Sequence, residues 1–340
     1  MVEVGCAMNI VIKGDGVAAY CSLRLLKMAG HRAMLARTER PRLPAIMLGD
    51  ASLALIRDVF DRPDLFRNLP RIQRRIVAWE KNAEPLPLEH SAVVVSEEYL
   101  LDNLRLDLPM NDAEAPPDAD WTIFASRPLP HGATEKRFGT RVASAARVRL
   151  KDERDSTACW IESLEDGWLF LIPDTSESGW LLSVGQGPET LLGRSRIIAE
   201  RIESCAPASG EFPACPRILS PLGETGWLAC GTAAMAFDPI CGDGTAHAIR
   251  EAILASAVIR AIAGGENSTE LIAHYQARLT AGFQRHLALC QEFYRSGYGG
   301  AWWDSELNAL ERGLQWCANE YVNHPQFRYQ LDGFELKSLG

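Results

Sequence analysis

The sequence lacks long apolar runs, paired cysteines and concentrated positive charge. No stretch of about 18 apolar residues occurs, and the segment from Met1 to Ile10 has no basic stretch followed by an apolar one. We therefore expect neither a membrane span nor a signal peptide. A cytoplasmic location is the resulting prediction. The formal net charge of -9, without a dense Lys/Arg run, argues against sequence-independent binding of nucleic acid or an anionic membrane.

Cysteine usage excludes two further classes. The chain has nine cysteines, an odd number, and none of them forms a C-x-x-C pair. This spacing predicts reduced thiols and neither a disulfide framework nor a zinc knuckle, so we predict no metal site. With 340 residues and 47% hydrophobic content, the chain can bury a large core, and its length suggests two interleaved domains.

The N-terminal region has the pattern of a βαβ unit. A short apolar run over residues 9–13 stops at Gly14-Asp15-Gly16, and apolar residues then recur with helical spacing as far as Gly30. Residues 33–36 form a second apolar run. The order predicted is therefore strand, tight turn, helix and strand within about 30 residues.

The first glycine turn is a candidate dinucleotide site. Gly14 and Gly16 would let the backbone approach a pyrophosphate, with Val17 and Ala18 in the first turn of the helix that follows. Ala19 stands where the third glycine of the fingerprint would be. An ordinary strand-to-helix turn is the alternative interpretation.

The middle of the chain changes character twice. Periodicity predicts helices over 50–60, 71–79 and 97–106, and strands over 92–95 and 121–125. Alternating segments at 141–149, 156–163, 167–172 and 180–184, joined by charged turns, then indicate an antiparallel sheet. A strand at 226–230 and helices at 245–263, 268–294 and 304–320 complete the pattern.

A second glycine turn follows the strand at 226–230. Its loop contains Pro239, Gly242 and Gly244 and leads into a helix of small residues. Such a loop presents main-chain N–H groups at a helix N-terminus, which suits negative charge on a reduced flavin ring.

This segment resembles the late G-D-A-A-x-x-x-D-P-x-x-G-x-G motif of flavoprotein monooxygenases and flavin-dependent halogenases. The segment 167–173 is similar to the G-W-x-W-x-I-P strand of the halogenases, with Phe170 at the second tryptophan position. The ending 327–336 is similar to the tails of flavoproteins that mature tryptophylquinone enzymes. The residues that match the late motif are Gly231, Ala233, Ala234, Asp238, Pro239, Gly242 and Gly244.

The resemblance implies an α/β fold of the aromatic-hydroxylase type. It would consist of a Rossmann-like FAD-binding domain, an inserted antiparallel β-sheet substrate domain and C-terminal helices. The boundaries we predict are 1–125 with 216–265 for the FAD-binding domain, 126–215 for the substrate domain and 266–340 for the helical segment.

The resemblance also implies which residues contact FAD. Thr232 would lie at the ribityl chain, where the family has aspartate. Two further positions depart from the family: Ala36 replaces the acid for the adenosine ribose, and Glu98 replaces an arginine near the pyrophosphate. These departures predict weak FAD binding. The full set of expected contacts is Gly14, Gly16, Val17, Ala18, Thr232, Pro239, Gly242, Gly244 and Thr245.

The activity implied by the resemblance is hydroxylation of an aromatic ring with O2. The branch that it favours acts on a tryptophan in a partner polypeptide during quinone-cofactor biogenesis, and an acidic surface could attract a basic region of that partner. Because no second nucleotide fingerprint is visible, electrons would come from transiently bound NAD(P)H or from a separate reductase. A flavin-dependent halogenase and a non-catalytic maturation scaffold are the alternatives.

Two side chains are candidates for a catalytic role. His247 lies near the start of a helix beside the proposed flavin ring and could handle a proton, although a polar residue at a sheet edge is the plainer interpretation. Trp168 could shield the flavin edge or the substrate, although alternating aromatic residues on a strand are commonly core.

Overall fold

The computed structural model describes residues 7–106, 108, 118–322 and 327–339. Its first layer is a five-stranded sheet in which β2, β1, β6 and β16 are mutually parallel and β15 is antiparallel at the edge. In spatial order the strands are β15 (Gly223–Glu224), β16 (Trp227–Ala229), β6 (Trp121–Phe124), β1 (Asn9–Lys13) and β2 (Arg32–Ala36).

The predicted βαβ unit is confirmed. β1 buries Ile10 and Ile12 completely, and the helix α1 (Val17–Met28) connects it to the parallel strand β2. Parallel neighbours need such a crossover, and the helix covers one face of the sheet. The glycine turn thus lies at the carboxyl end of β1, where open α/β sheets bind ligands.

The second layer is a nine-stranded, largely antiparallel sheet. Its path is β12, β8, β11, β10, β9, β4, β5, β3, with β13 also paired to β8. The strands are β3 (Ile46–Gly49), β4 (Arg71–Ala78), β5 (Leu86–Val95), β8 (Val142–Leu150), β9 (Ala158–Leu164), β10 (Gly167–Pro173), β11 (Ser178–Gly185), β12 (Ile202–Cys205) and β13 (Glu211–Pro213).

The helix predicted at 71–79 is wrong, because this segment is the strand β4. Ile72 and Ile76 are four residues apart, a spacing that suits one face of a helix and also one face of a strand. Pairing on both sides decides the conformation: β4 is antiparallel to β5 and parallel to β9, with an irregularity between Ile72 and Arg74. Tertiary pairing therefore overrides the local pattern.

The remaining helices agree with the periodicity. The helices predicted at 50–60, 97–106, 245–263, 268–294 and 304–320 are all present, with ends shifted by a few residues. Two short helices adjoin strands of the sheets. The helices after α1 are α2 (Asp50–Phe60), α3 (Glu97–Arg105), α4 (Pro188–Leu192), α5 (Gly231–Ala234), α6 (Gly244–Ala263), α7 (Ser268–Arg295) and α8 (Ala301–Val322).

Two small sheets complete the structure. One joins β17, β14 and β7, and the other is a hairpin of β18 and β19 near the C-terminus. Their bounds are β7 (Thr134–Arg137), β14 (Arg217–Ser220), β17 (Met235–Ala236), β18 (Tyr329–Asp332) and β19 (Glu335–Ser338).

The nine-stranded sheet combines strands from both sides of the predicted domain boundary at residue 125. Strands β3, β4 and β5, from residues 46–95, belong to the nine-stranded sheet together with strands from 142–213. The boundaries at 125, 215 and 265 stay a prediction. Among the described helices, none combines the length and apolar character needed to cross a membrane.

The prediction of reduced thiols is confirmed for the described part of the chain. All eight cysteines there are free, and six of them are buried.

Candidate cofactor site

The first glycine turn needs glycine at position 14 for two reasons. Gly14 has φ +140°, and a Cβ built there would lie 2.8 Å from Ser126 Oγ and 2.9 Å from the backbone nitrogen of Ser126. Its N–H donates to Ala36 O at 3.0 Å, which fixes the turn against the end of β2. Only a residue without a side chain allows the chain ends of β1, β2 and β6 to approach this closely.

The helix α1 begins directly after Gly16, whose backbone is extended. None of the described side chains caps this end of the helix. The first N–H groups of a helix have no intrahelical partner, and they carry partial positive charge. The turn therefore presents backbone donors of the kind that bind a pyrophosphate.

Arginines that the sequence analysis overlooked surround the turn. Arg40 donates to Asp15 O at 3.2 Å, and its Nη2 lies 3.1 Å from the position of a Gly16 Cβ. Arg42 donates to Asp15 O at 2.6 Å and pairs with the Asp15 carboxylate. Two guanidinium groups therefore lie over the glycine turn. They lie in the loop after β2, four and six residues beyond Ala36, the position from which the family's acidic residue is missing.

The acid near this site is Glu97, not the predicted Glu98. Glu98 is exposed, whereas Glu97 is 4% exposed and forms an ion pair with Arg40. Glu97 also accepts the backbone N–H of Leu43 at 2.9 Å. The residue before Glu98 is therefore half of an internal salt bridge, whose cation comes from the loop after β2.

Two hydroxyl groups lie beyond the end of β2, where the resembling family has a carboxylate for the adenosine ribose. Ala36 ends β2, as the sequence alignment of motifs predicted, and offers no acceptor. Two residues further on, Thr38 Oγ1 lies 3.0 Å from Ser126 Oγ. Hydroxyls both donate and accept, so they can bind a ribose, but more weakly than a carboxylate.

The second glycine turn packs directly on the first. Gly231 has φ +56°, and a Cβ there would lie 2.7 Å from Ala18 Cβ on α1. The Gly231 N–H donates to Glu251 Oε2 at 2.6 Å, and burial raises the pKa of Glu251 well above its usual range. This hydrogen bond from the turn to Glu251 on α6 stabilises the turn. Thr232 is exposed and donates its hydroxyl to Ala125 O at 3.3 Å.

The loop after α5 leads to a third helix N-terminus. Pro239 opens a 3-10 turn, Gly242 follows it with φ +64°, and α6 begins at Gly244 with no cap from a described side chain. Thr245, the next residue, is half-buried. The N-termini of α1 and α6 are thus uncapped by described side chains, whereas the first N–H of α5, that of Gly231, donates to Glu251. The predicted cofactor residues are distributed over these three helix ends and the loop.

The aspartate of the late motif is part of a buried ionic network. Asp238 and Arg141 are both fully buried at their side chains and lie 2.9 Å apart. Arg141 also pairs with Glu306 on α8 at 2.6 Å, and Tyr294 donates to Asp238 Oδ2 at 2.9 Å. Burial raises the pKa of Asp238, and the Arg141 guanidinium opposes that shift. The network holds the loop against β8, α7 and α8, so Asp238 has a structural role.

The two catalytic candidates lie in different surroundings. Trp168 is completely buried, and its indole N–H donates to Tyr294 Oη at 3.2 Å. His247 is stacked on Phe237 with ring centroids 4.1 Å apart, and its Nε2 lies 3.6 Å from Asp243. Burial lowers the pKa of His247. Trp168 belongs to the core and His247 to the start of α6, so the structure does not bring them together.

Arg75 is a site residue that the sequence analysis missed. Its Nη2 lies 3.3 Å from the position of a Gly242 Cβ, and its guanidinium lies 6.0 Å from the centroid of Phe170. Met47 approaches the same glycine. These side chains belong to the nine-stranded sheet and approach the loop 239–245, which we call the cofactor loop. The helix predicted at 71–79 concealed Arg75, because a strand and a helix present different faces.

FAD fits the backbone of this site. Gly14 and Gly231 leave no room for a Cβ, the N-termini of α1 and α6 are uncapped by described side chains, and the buried Nε of Arg40 has no hydrogen-bond partner among the described residues. Arg40 and Arg42 supply positive charge for the pyrophosphate, while Thr232 and the hydroxyls of Thr38 and Ser126 offer weaker polar contacts. The site therefore suits a pyrophosphate-bearing cofactor held mainly through its phosphates.

Stability should depend on pH through His286, which accepts the Asp238 N–H at 2.9 Å. Burial, with His247 and Arg141 nearby, lowers its pKa to about 3. An unfolded histidine titrates near 6.5, so between these values only the unfolded chain takes up the proton, and stability falls as the pH falls. We expect a loss of about 2 kcal/mol at about pH 5.

Urea unfolding at about pH 5 and at neutral pH measures this loss. His286→Gln keeps an acceptor for the Asp238 N–H and should remove this part of the pH dependence. His131→Gln, at an exposed position, should retain it. An unchanged pH profile in His286→Gln would contradict the assignment.

Comparison with solved structures places this geometry in a known fold. No protein family matches the chain by sequence, and no curated protein does. The peptidyl tryptophan dihydroxylase QhpG, essential for tryptophylquinone cofactor biogenesis, superposes with a TM-score of 0.72 at 19% identity over 88% of this chain and 79% of its own. The myxobacterial chondrochloren halogenase CndH gives 0.71 at 16% identity, over 94% and 90%.

A further flavin-dependent enzyme, the brominase Bmp2, gives a TM-score of 0.68 at 16% identity, over 93% of this chain and 92% of its own. The chain therefore has the FAD-binding fold of aromatic hydroxylases and flavin-dependent halogenases. The predicted fold class is confirmed.

Proposed function

We propose that the protein is an FAD-dependent monooxygenase that hydroxylates a tryptophan side chain in a partner polypeptide during quinone-cofactor biogenesis. The observation that carries the proposal is the combination, in this fold, of two glycine turns without room for a Cβ and two helix N-termini, those of α1 and α6, that no described side chain caps. The likeness to a peptidyl tryptophan dihydroxylase supports the choice of substrate.

The residues of the chain would divide the work of holding the cofactor. The N–H groups of Val17 and Ala18, with the guanidinium groups of Arg40 and Arg42, would neutralise the pyrophosphate. Thr232 would contact the ribityl chain, and the loop 239–245 would place backbone N–H groups beside the ring. When bound, FAD would supply the activation of O2 for oxygen transfer to an electron-rich aromatic ring.

The substrate side would be formed by the nine-stranded sheet. Arg75 faces Gly242 and lies beside Phe170, so it would place a positive charge near the ring or near the bound substrate. Electrons would come from transiently bound NAD(P)H or from a separate reductase. The net charge of -9 favours a partner whose tryptophan is flanked by basic residues.

Titration with FAD tests whether the protein binds the cofactor. Variants of the Arg40–Glu97 pair test whether the Arg40 guanidinium contributes to that binding. Replacing both residues with glutamine keeps a polar pair but removes the cation, so FAD affinity should fall about tenfold, or about 1.4 kcal/mol. Glu97→Gln alone leaves Arg40 unneutralised and should tighten binding. Flavin absorbance and thermal-shift titrations measure both changes.

Arg32→Gln is the matched control, because Arg32 is exposed on β2 and should not affect the titration. Equal affinities in all four proteins would exclude Arg40 from the cofactor site. No flavin binding even with excess FAD would favour the alternative of a maturation scaffold.

A product assay tests whether the protein hydroxylates tryptophan in a peptide. The FAD-loaded protein, with a flavin reductant and O2, should add one or two oxygen atoms to tryptophan in peptides with basic flanks. Bromide or chloride should be included, because the likeness to CndH and Bmp2 supports a halogenase as the second candidate. A halogenated product would establish that candidate in place of hydroxylation.

A further inference from the structure

A cysteine of the cofactor loop lies next to a cysteine of α7. Cys241 ends the 3-10 turn that Pro239 begins, and Cys290 lies on α7. Their Sγ atoms are 3.7 Å apart. A disulfide requires about 2.0 Å between the sulfurs, so the two segments would have to move slightly toward each other for it to form.

The two thiols differ in access and in environment. Cys241 is half-buried, whereas Cys290 has no exposed surface. Cys290 Sγ lies 3.3 Å from His286 Nε2, the atom that also accepts the Asp238 N–H. The Asp238 N–H already uses the lone pair of that nitrogen, so His286 is a neighbour of Cys290 and not its base. Burial raises the pKa of the Cys290 thiol, so Cys290 stays protonated until it reacts.

We propose that Cys241 and Cys290 form a peroxide-sensitive dithiol that closes reversibly into a disulfide. Hydrogen peroxide is the oxidant, and the accessible Cys241 is its target. The inference needs no bound cofactor, so it does not depend on the function proposed above.

The reaction has two balanced steps. The Cys241 thiolate attacks peroxide, an S–O bond forms as the O–O bond breaks, and hydroxide leaves, so that Cys241 becomes a sulfenic acid. The Cys290 thiol then attacks the Cys241 sulfur and gives its proton to the departing hydroxide; the S–S bond forms, the S–O bond breaks, and water leaves. In total, two thiols and one peroxide give one disulfide and two waters.

Closure would tie the cofactor loop to α7. Cys241 lies between Pro239 and Gly242, and Cys290 lies one helical turn after His286, which already binds the backbone of Asp238. The crosslink would shift the loop toward the helix, away from the position that the reduced pair maintains. It would therefore link the geometry of the loop to the peroxide concentration.

The test uses the full chain with Cys205→Ser as the reference, because Cys205 is exposed and would form intermolecular crosslinks. After peroxide treatment, denaturing alkylation and peptide mapping should find a Cys241–Cys290 crosslink in most molecules, and dithiothreitol should reverse it. Cys241→Ser and Cys290→Ser should each abolish the crosslink.

Three results would overturn the proposal. The first is free alkylation of both thiols after peroxide treatment, and the second is overoxidation of Cys241 without any crosslink. The third is one equivalent of bound zinc in the purified protein that must be chelated before a crosslink forms, because Cys241, His286 and Cys290 have ligand atoms within 4.8 Å of one another. That result would identify a metal site instead.

Discussion

Arg141→Met should lower the free energy of unfolding by about 3–5 kcal/mol, the usual effect of removing one partner from a buried ion pair. The arginine has no exposed side-chain surface, and it is the cation between Asp238 and Glu306, which are also buried. Methionine fills much of the space but leaves two carboxylates without a counter-charge. Urea unfolding followed by tryptophan fluorescence measures the change.

The control comes from the same strand region. Arg149 on β8 pairs with Glu203 at 2.8 Å, but the two side chains are 64% and 55% exposed. Arg149→Met should therefore change stability by less than about 1 kcal/mol. Replacing Arg141, Asp238 and Glu306 together with methionine, asparagine and glutamine should restore part of the loss. Similar losses in the two single variants would show that Arg141 does not anchor the loop.

Local patterns predict the parts of this fold that local forces determine. The turn at Gly14 lies between an apolar strand and an amphipathic helix, and α6, α7 and α8 have long periodic stretches. Each such element carries its signal in consecutive residues. The loop from Pro239 to Gly244 is likewise recognisable, because proline and glycine restrict or permit particular backbone angles.

The side chains that complete the site carry no local signal. Arg40 and Glu97 are separated by 57 positions, and Arg141 and Glu306 by 165. The chain has 35 basic residues, and their neighbours in sequence do not indicate which of them form ion pairs in the fold. Arg75 was concealed for a different reason, since β4 becomes a strand only by pairing with β5 and β9. The backbone cradle was therefore predictable, and its charges were not.

Gly14→Ala should destabilise the protein by about 3 kcal/mol or more and abolish FAD binding, because strain and a steric clash combine at this position. At φ +140° an alanine is strained whatever the space, and its Cβ would meet Ser126 N at 2.9 Å and Ser126 Oγ at 2.8 Å. The hydroxyl could turn away, but the backbone nitrogen cannot. Relief would require β1 to move from β6, which would displace the N-terminus of α1.

Gly30→Ala separates the clash from the strain. Gly30 also has a positive φ, +84°, but a Cβ there meets nothing within 4 Å. Its substitution should destabilise the protein by only about 1–2 kcal/mol and leave FAD titrations unchanged. Thermal unfolding and flavin absorbance together distinguish the two variants. If Gly14→Ala bound FAD as tightly as Gly30→Ala, the close approach of β1 and β6 at this turn would not be what positions the cofactor.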